Sequence, residues 1–352
     1  MGLTVAIPFL AEGAASAETM SSLFSTYWSS FQKRFLSADG RVIDTGNHGI
    51  SHSEGQGYGM LFAVHAGDQH IFDKMWEWTQ TNLAQPNCTL HSWKYVPNAA
   101  INVPEPNAAT DAELMIALAL TRASLRWNEP ALLQQASQLF TDIRLLLTTQ
   151  IHGLNLLLPG QVGFTYPDHV IINPSYYLFP ALQAAAEVDA SPQWRRISAN
   201  GLDVLARARF GKWQLPPDWV RVSKSDGTLT PAPGWPPRFS YDAIRVPLYL
   251  AWGKQLSQAD MNIFSTYWNE FAPHIPAWVN LQDNTRSPYD APTGFRDVAR
   301  LSGWTQWNSL SPDLEGFSDT DDYYSSALCL LCLMIADELR VTKTETGTSK
   351  VL

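Results

Sequence analysis

The chain has 352 residues, 45% hydrophobic and 16% charged, which suits one large globular domain or two small ones. A formal net charge of −9 without any Lys/Arg cluster argues against nucleic acid and anionic membrane surfaces as partners. No run approaches the roughly 20 apolar residues of a membrane span. No Pro/Ser/Gly-rich linker divides the chain, so one domain is expected over 18–341, with a flexible tail over 342–352.

At the start, Leu3 to Ala11 is a short apolar run and Ala15-Ser16-Ala17 resembles a small-residue cleavage site, although no Lys or Arg precedes Lys33. Residues 1–17 are therefore expected to be an export-signal remnant or a disordered N-terminus, and the protein to be secreted or periplasmic. Ser21 to Phe35 spaces Leu23, Phe24, Tyr27, Trp28 and Phe31 as one face of a helix.

A loop over Asp44 to Gly49 leads to Ser51-His52-Ser53-Glu54-Gly55-Gln56-Gly57-Tyr58-Gly59-Met60. Ser53 and Gln56 have capping-box spacing, which puts Glu54 in the first turn of a helix. Gly55, Gly57 and Gly59 weaken that helix start, so close approach of a bulky ligand is expected there. Ile71 to Leu83 is the returning helix, and His91 to Tyr95 is a loop or strand.

The geometry then repeats. Thr110 and Glu113 form a second capping box with Asp111 in the first turn, followed by an apolar run and a returning helix, Pro130 to Leu147. Gly153 to Asp168 suggests a hairpin. Asn173 caps a helix with Pro174 at its first position, running to about Val188, and Pro192 to Ala208 returns. Gly211 to Pro237 is irregular. Ser240 caps a further helix with Asp242 just inside, and Ala259 to Phe271 returns. Pro273 to Ser318 is mostly loop, and a fifth start at Asp319 to Tyr324 opens a closing helix, Asp322 to Leu339.

Starts at intervals of roughly 60 residues allow one helix in and one back, so that alternate N-termini converge on one face. An all-α arrangement of paired helices in a ring follows, with Glu54, Asp111 and Asp242 together on that face. Cys88 stands alone, and Cys329 and Cys332 share a helical face with no second pair to complete a zinc site; buried free thiols and no metal are expected. Three carboxylates on one face, amid 14 Trp, 12 Tyr and 15 Phe that include platforms for sugar rings, suggest glycosidic-bond hydrolysis. A helix N-terminus favours the ionised carboxylate, so the general acid needs burial or a negative neighbour; Asp111 could supply that charge to Glu54.

These residues resemble glycoside hydrolase family 8, the inverting endo-β-glucanases. The resemblance rests on Ala109 to Ala119 with Ala123 and Trp127, Ser53 to Met60, Asn173 to Tyr176, Leu215-Pro216-Pro217-Asp218-Trp219, and Tyr241 to Arg245, in the family's order. It is nearest to the members associated with bacterial cellulose synthesis. It implies an (α/α)6 barrel with a few short strands in loops, and a groove across the inner-helix N-termini. It makes Glu54 the proton donor, Asp242 the general base, and Asp111 the carboxylate that positions the sugar. Tyr176 would touch the same sugar, Arg245 would orient the base, and Trp93 and Tyr323 or Tyr324 would stack on sugars. Neither metal nor cofactor is implied. The partner is a cellulose or other β-1,4-glucan chain, with a functional association with the cellulose synthase complex and a monomeric state. Alternatives are xylan, mixed-linkage glucan or chitosan as substrate, or a glycan-binding component of cellulose export. Glu113 stands where the family pattern usually has Asp, and Thr121 replaces an aliphatic residue; Glu113 is expected to be structural.

Overall fold

The computed structural model describes residues 9–304 and 312–348. Among them are eleven helices: α1 (Phe9–Phe35), α2 (Ser53–Ala66), α3 (Gln69–Leu83), α4 (Thr110–Trp127), α5 (Pro130–Leu146), α6 (Phe179–Val188), α7 (Pro192–Arg207), α8 (Arg245–Trp252), α9 (Gln258–Phe271), α10 (Thr293–Trp304) and α11 (Tyr323–Thr348). Residues 9–17 of the expected leader belong to α1, and the expected tail is helical as far as Thr348. Residues 1–8 and 349–352 lie outside the described residues.

Burial sorts the helices into two layers. α2, α4, α8 and the first half of α11 are buried almost all round, as in the unbroken run Ala327 to Ala336. A helix apolar on every side has no face for water and belongs inside. α3, α5, α7 and α9 each bury one stripe and expose the other. α2 packs on α4, α4 on α6, α6 on α8, α8 on α11, and α11 back on α2. The one-sided helices lie behind: α3 on α2, α5 on α4, α7 on α6, α9 on α8, α1 on α11. At the end of α1, the Arg34 guanidinium donates to the carbonyls of Ser318, Asp319 and Asp321, which lead into α11.

The strands are short and antiparallel. β1 (Ser51–His52) pairs with β2 (Lys94–Tyr95), which places the cleft residues His52 and Trp93 side by side. β3 (Thr148–Ile151) and β4 (Leu154–Leu157) make a hairpin that overlaps only the start of the stretch, Gly153 to Asp168, where one is expected. β5 (His169–Ile172), β6 (Val220–Ser223) and β7 (Leu229–Pro231) form a three-stranded sheet across the stretch expected to be irregular. β8 (Arg238–Phe239) pairs with β9 (Val279–Asn280).

Several local expectations fail, and for Gln56, Thr110 and Glu113 the reason is that the side chains are used for tertiary contacts. Ser53 is itself helical and its hydroxyl is buried without a partner, so no capping box forms. Gln56 instead accepts from the Val42 N–H at 2.6 Å and donates to the Gly40 carbonyl at 3.1 Å and to Thr79 at 3.0 Å. Thr110 donates to the Leu158 carbonyl rather than capping α4, and Glu113 accepts from the His91 backbone N–H at 2.7 Å. α8 starts at Arg245; Ser240 to Ile244 form a turn that carries Asp242. Asn173 does cap, accepting from the Ser175 N–H, but over a 3-10 turn, Pro174–Tyr176, with α6 starting only at Phe179. α10 lies in the stretch expected to be mostly loop. Its Gly294 and Gly303 mask the stripe Phe295, Val298 and Leu301, which is buried. The α2 glycines admit neighbouring helices rather than a ligand. A Cβ at Gly57 would stand 2.8 Å from the Met115 Cβ on α4, and one at Gly55 2.8 Å from the Tyr323 hydroxyl on α11.

Candidate active site

Four side chains from three segments meet over the N-terminal ends of the inner helices. Glu54 stands in the first turn of α2 and Asp111 in the first turn of α4, while Asp242 comes from the turn before α8. Arg245, the first residue of α8, joins them and is only 3% exposed. One terminal nitrogen of its guanidinium donates to Glu54; the other donates to Asp242 at 2.7 Å and to the Ser175 hydroxyl at 3.0 Å, and lies 3.4 Å from Asp111. The expected convergence and the expected Arg245–Asp242 contact are both present in the geometry.

The surroundings differ for each carboxylate. Asp111 is 4% exposed, accepts from the Ala112 N–H at 2.9 Å and from the Tyr176 hydroxyl, and burial pushes its carboxyl up to about 7. Asp242 is raised well above the usual carboxylate range, first by desolvation and then by the negative charges of Asp218 and Asp111. Its side chain is nevertheless 30% exposed, so it reaches into the cleft. Glu54 also accepts from Tyr58 at 3.4 Å, and Tyr58 shares a hydrogen bond of 2.9 Å with Tyr249. Asp218, on the Leu215–Trp219 segment, is buried and accepts from the Ser240 and Ala243 N–H groups and the Ser240 hydroxyl, at 3.1, 2.8 and 2.6 Å. It thereby fixes the turn that presents Asp242. His52 lies in the cleft wall beside Glu54, its pKa lowered to about 4 by burial and by Lys94, so its imidazole is neutral.

The cleft has two lobes sharing His52, Glu54, Asp242 and Arg245. One, of about 190 Å³, is walled by Trp93, Asp111 and Tyr176. The other, of about 380 Å³, is walled by Asp44, Asn47, Tyr241, Asp322 and Tyr324. Trp93 stacks on His52 with ring centroids 6.1 Å apart. Tyr324 is half-buried and donates to the Tyr241 carbonyl at 2.6 Å. Tyr323 is 1% exposed, with its ring packed against Phe31 and Phe35, and has no free face for a sugar; it belongs to the core under the cleft floor. Outward from Tyr176 run the rings of Trp219, Phe164 and Trp235, with Phe164 and Trp235 both stacked on Trp219, at 5.8 and 5.3 Å.

Tyr58, His52, Ser175, Asp218 and this aromatic row carried no assignment from sequence. Tyr58, Ser175, Asp218 and Trp219 nevertheless all lie inside the quoted motif segments, which was the available signal. Among the described residues no group of three or more His, Cys, Asp or Glu is placed to hold a metal, and no helix is long and apolar enough to cross a membrane. Cys88, Cys329 and Cys332 are free thiols, and the last two are buried.

Comparison with known proteins agrees with this geometry. Residues 4–338 match the family model of glycosyl hydrolases family 8. The chain is 45% identical over 323 residues to a probable endoglucanase of Novacetimonas hansenii, covering 92% of this chain and 93% of the relative. It is 36% identical over 281 residues to an endoglucanase of Cellulomonas uda, covering 79% and 77%. The solved structure of an endo-β-1,4-glucanase from Acetobacter xylinum superposes with a TM-score of 0.85 at 44% identity, covering 90% of this chain and 98% of that one. A family-model match over nearly the whole chain, together with 45% identity over 92% of it, shows that the chain belongs to glycosyl hydrolase family 8.

Proposed function

We propose that the protein is an endo-β-1,4-glucanase that cleaves internal bonds of cellulose chains by single displacement with inversion. The observation that carries this reading is the meeting of Glu54, Asp111 and Asp242 at Arg245, where the two lobes of the cleft join. Glu54 donates its proton to the glycosidic oxygen as the bond to the anomeric carbon breaks. Asp242 takes a proton from a water that attacks the same carbon from the opposite face. Arg245 ionises whichever carboxylate it holds. For Glu54 to act as the acid it turns from the guanidinium to the glycosidic oxygen, leaving Arg245 to Asp242, the group that has to be ionised. Asp111 and Tyr176 hold the reacting sugar. Trp93 and Tyr324 stack on its neighbours, and the Trp219 row extends the track.

In this reading the helical layers close as an (α/α)6 barrel, the five inner helices α2, α4, α6, α8 and α11 forming a closed cycle and α10, packed on α8, α9 and α11, belonging to the remaining sector. The names of the relatives support cellulose as the substrate class. A secreted or periplasmic location, beside the cellulose synthase complex, is part of the same proposal.

The test is reducing-sugar release from carboxymethylcellulose, with xylan and chitosan in parallel. Glu54→Gln is expected to lose about 10²-fold or more on the cellulose derivative, the range of a positioned general acid. Unchanged activity in Glu54→Gln would overturn the acid assignment. Higher parental activity on xylan or chitosan would move the substrate class, and activity on none of the three would favour a glycan-binding component.

A further inference from the structure

Away from the cleft, a cavity of about 520 Å³ opens in the outer layer between α3, α5 and the loop that joins α3 to β2. That volume falls within the range of about 300–1,000 Å³ usual for ligand sites. We propose that it is a second carbohydrate-binding site, which holds a neutral glucan strand on the outside of the enzyme.

The lining decides the ligand chemistry. No Asp, Glu, Lys or Arg borders the cavity, in contrast to the cleft with its three carboxylates and one guanidinium. A charged ligand would be desolvated there without compensation. What the walls offer is primary amides, from Gln80 on α3 and from Gln134, Gln135 and Gln138 on α5. Gln80, Gln134 and Gln138 are exposed and make no side-chain hydrogen bond among the described residues, so their donors and acceptors are available. An amide both donates and accepts, which matches a hydroxyl that does the same. The fourth amide is already engaged. Its oxygen, on Gln135, accepts from the Trp76 indole N–H at 3.1 Å, which fixes the orientation of the ring. Trp76 is only 9% exposed, so its indole adds, with Ala84 and Leu139, a small apolar patch at the cavity wall rather than an open stacking platform. Paired hydroxyls and an apolar face together describe a saccharide.

The site is also rigid and close to the cleft in sequence. His91 stands against Trp76 with centroids 5.5 Å apart, and its backbone N–H and ring are held by buried Glu113 at 2.7 and 3.0 Å. Glu113 lies two residues after Asp111 on α4, and Trp93 of the cleft wall lies two residues after His91. One short segment therefore walls both sites. A polymer held at the outer cavity would keep the enzyme on its substrate between cleavages, without altering the chemical step.

The choice of glucan rests on the proposed glucanase function; the class of neutral, hydroxyl-bearing ligand rests on the cavity alone. The test uses Gln80→Ala/Gln134→Ala/Gln138→Ala, with hydroxyethylcellulose as the polymer and cellopentaose as a short substrate. Retardation in native gels containing the polymer is measured in the Glu54→Gln background, so that nothing is hydrolysed. The triple variant is expected to lose about fivefold or more in apparent affinity for the polymer, the effect of two or three lost hydrogen bonds. With Glu54 intact, its kcat and KM on cellopentaose should stay within about twofold of the parent, since the substituted side chains hold no catalytic group and truncation at exposed positions is mild. Equal retardation of triple variant and parent overturns the second site. Failure of the parent to hydrolyse cellopentaose overturns the glucanase reading instead, and the retardation comparison still decides the cavity.

Discussion

Arg245 faces three carboxylates with one positive charge, and Asp218 adds a fourth carboxylate behind Asp242. A base must be ionised to take a proton, so each influence that raises the Asp242 pKa moves the acid limb of the pH profile upward. Desolvation is the largest of these, and the Asp218 charge comes next. Asp218→Asn removes the charge but keeps an oxygen to accept from the Ser240 and Ala243 N–H groups. The acid limb of kcat/KM is therefore expected to shift to lower pH, by roughly one unit for each 1.4 kcal/mol of lost repulsion. A lower rate with an unmoved limb would make Asp218 a support of the turn alone. At this scale the sequence was informative about Glu54, Asp111, Asp242 and Arg245, because chemistry constrains residue type and spacing. It left open which of Tyr323 and Tyr324 faces the cleft, because an aromatic in a core and one in a cleft look alike in a linear string.

At the level of elements, the starts of α2 and α4 were legible and their capping was not. Ser53, Gln56, Thr110 and Glu113 stand at the spacing of local caps, yet Gln56, Thr110 and Glu113 reach across to other segments. In an inner layer nearly every polar atom lacks water, so distant backbone groups compete for side chains that would cap in a solvated helix. The α2 glycines obey the same crowding. Gly57→Ala places a methyl 2.8 Å from the Met115 Cβ, an atom fixed to the α4 backbone. Overpacking of this kind costs about 1–3 kcal/mol, against a gain in helix propensity of up to about 1 kcal/mol. At Gly59 the nearest atom is the terminal methyl of Met75, which can swing away. Circular-dichroism melts should show a lower Tm for Gly57→Ala and a smaller drop for Gly59→Ala; the reverse order would mean that α2 and α4 are free to separate.

For the whole molecule, the layered helical architecture followed from the repeat of helix starts and from the apolar runs, whereas α10 and the β5–β6–β7 sheet did not. Phe295, Val298 and Leu301 are punctuated by glycines, and two-to-four-residue strands carry too little alternation to register. Global stability carries the cost of the site. In the folded chain Asp111 titrates at about 7, against an ordinary 3.8. Between those values the unfolded chain has lost the proton while the folded chain keeps it. The contribution of Asp111 to stability therefore falls as pH rises through that window and is constant above it. Asp111→Asn removes this dependence. Its Tm relative to the parent is expected to climb across the window, corresponding to an order of 2–4 kcal/mol in favour of the variant at the alkaline end. A difference that does not vary with pH would show that Asp111 is ionised throughout.

The joint between α1 and α11 differs in kind from the other joints between an outer helix and the inner helix it covers. α3, α5, α7 and α9 are each tethered to the inner helix they cover by the chain between them. By contrast, α1 and α11 are far apart in the chain and meet by packing, by the Tyr27 hydroxyl donating to the Glu315 carbonyl and by the grip of Arg34 on three carbonyls. It is the clasp of a bracelet, and a bracelet opens at its clasp. The segment it secures begins at the loop before Asp322 and Tyr324, which wall the larger lobe of the cleft. Loosening the clasp would spill that wall while the other helices still held their places. The lifetime of the catalyst in warm solution would then be set by a fastening remote from any reacting atom, and an enzyme made more durable would be one with its first and last helices riveted together.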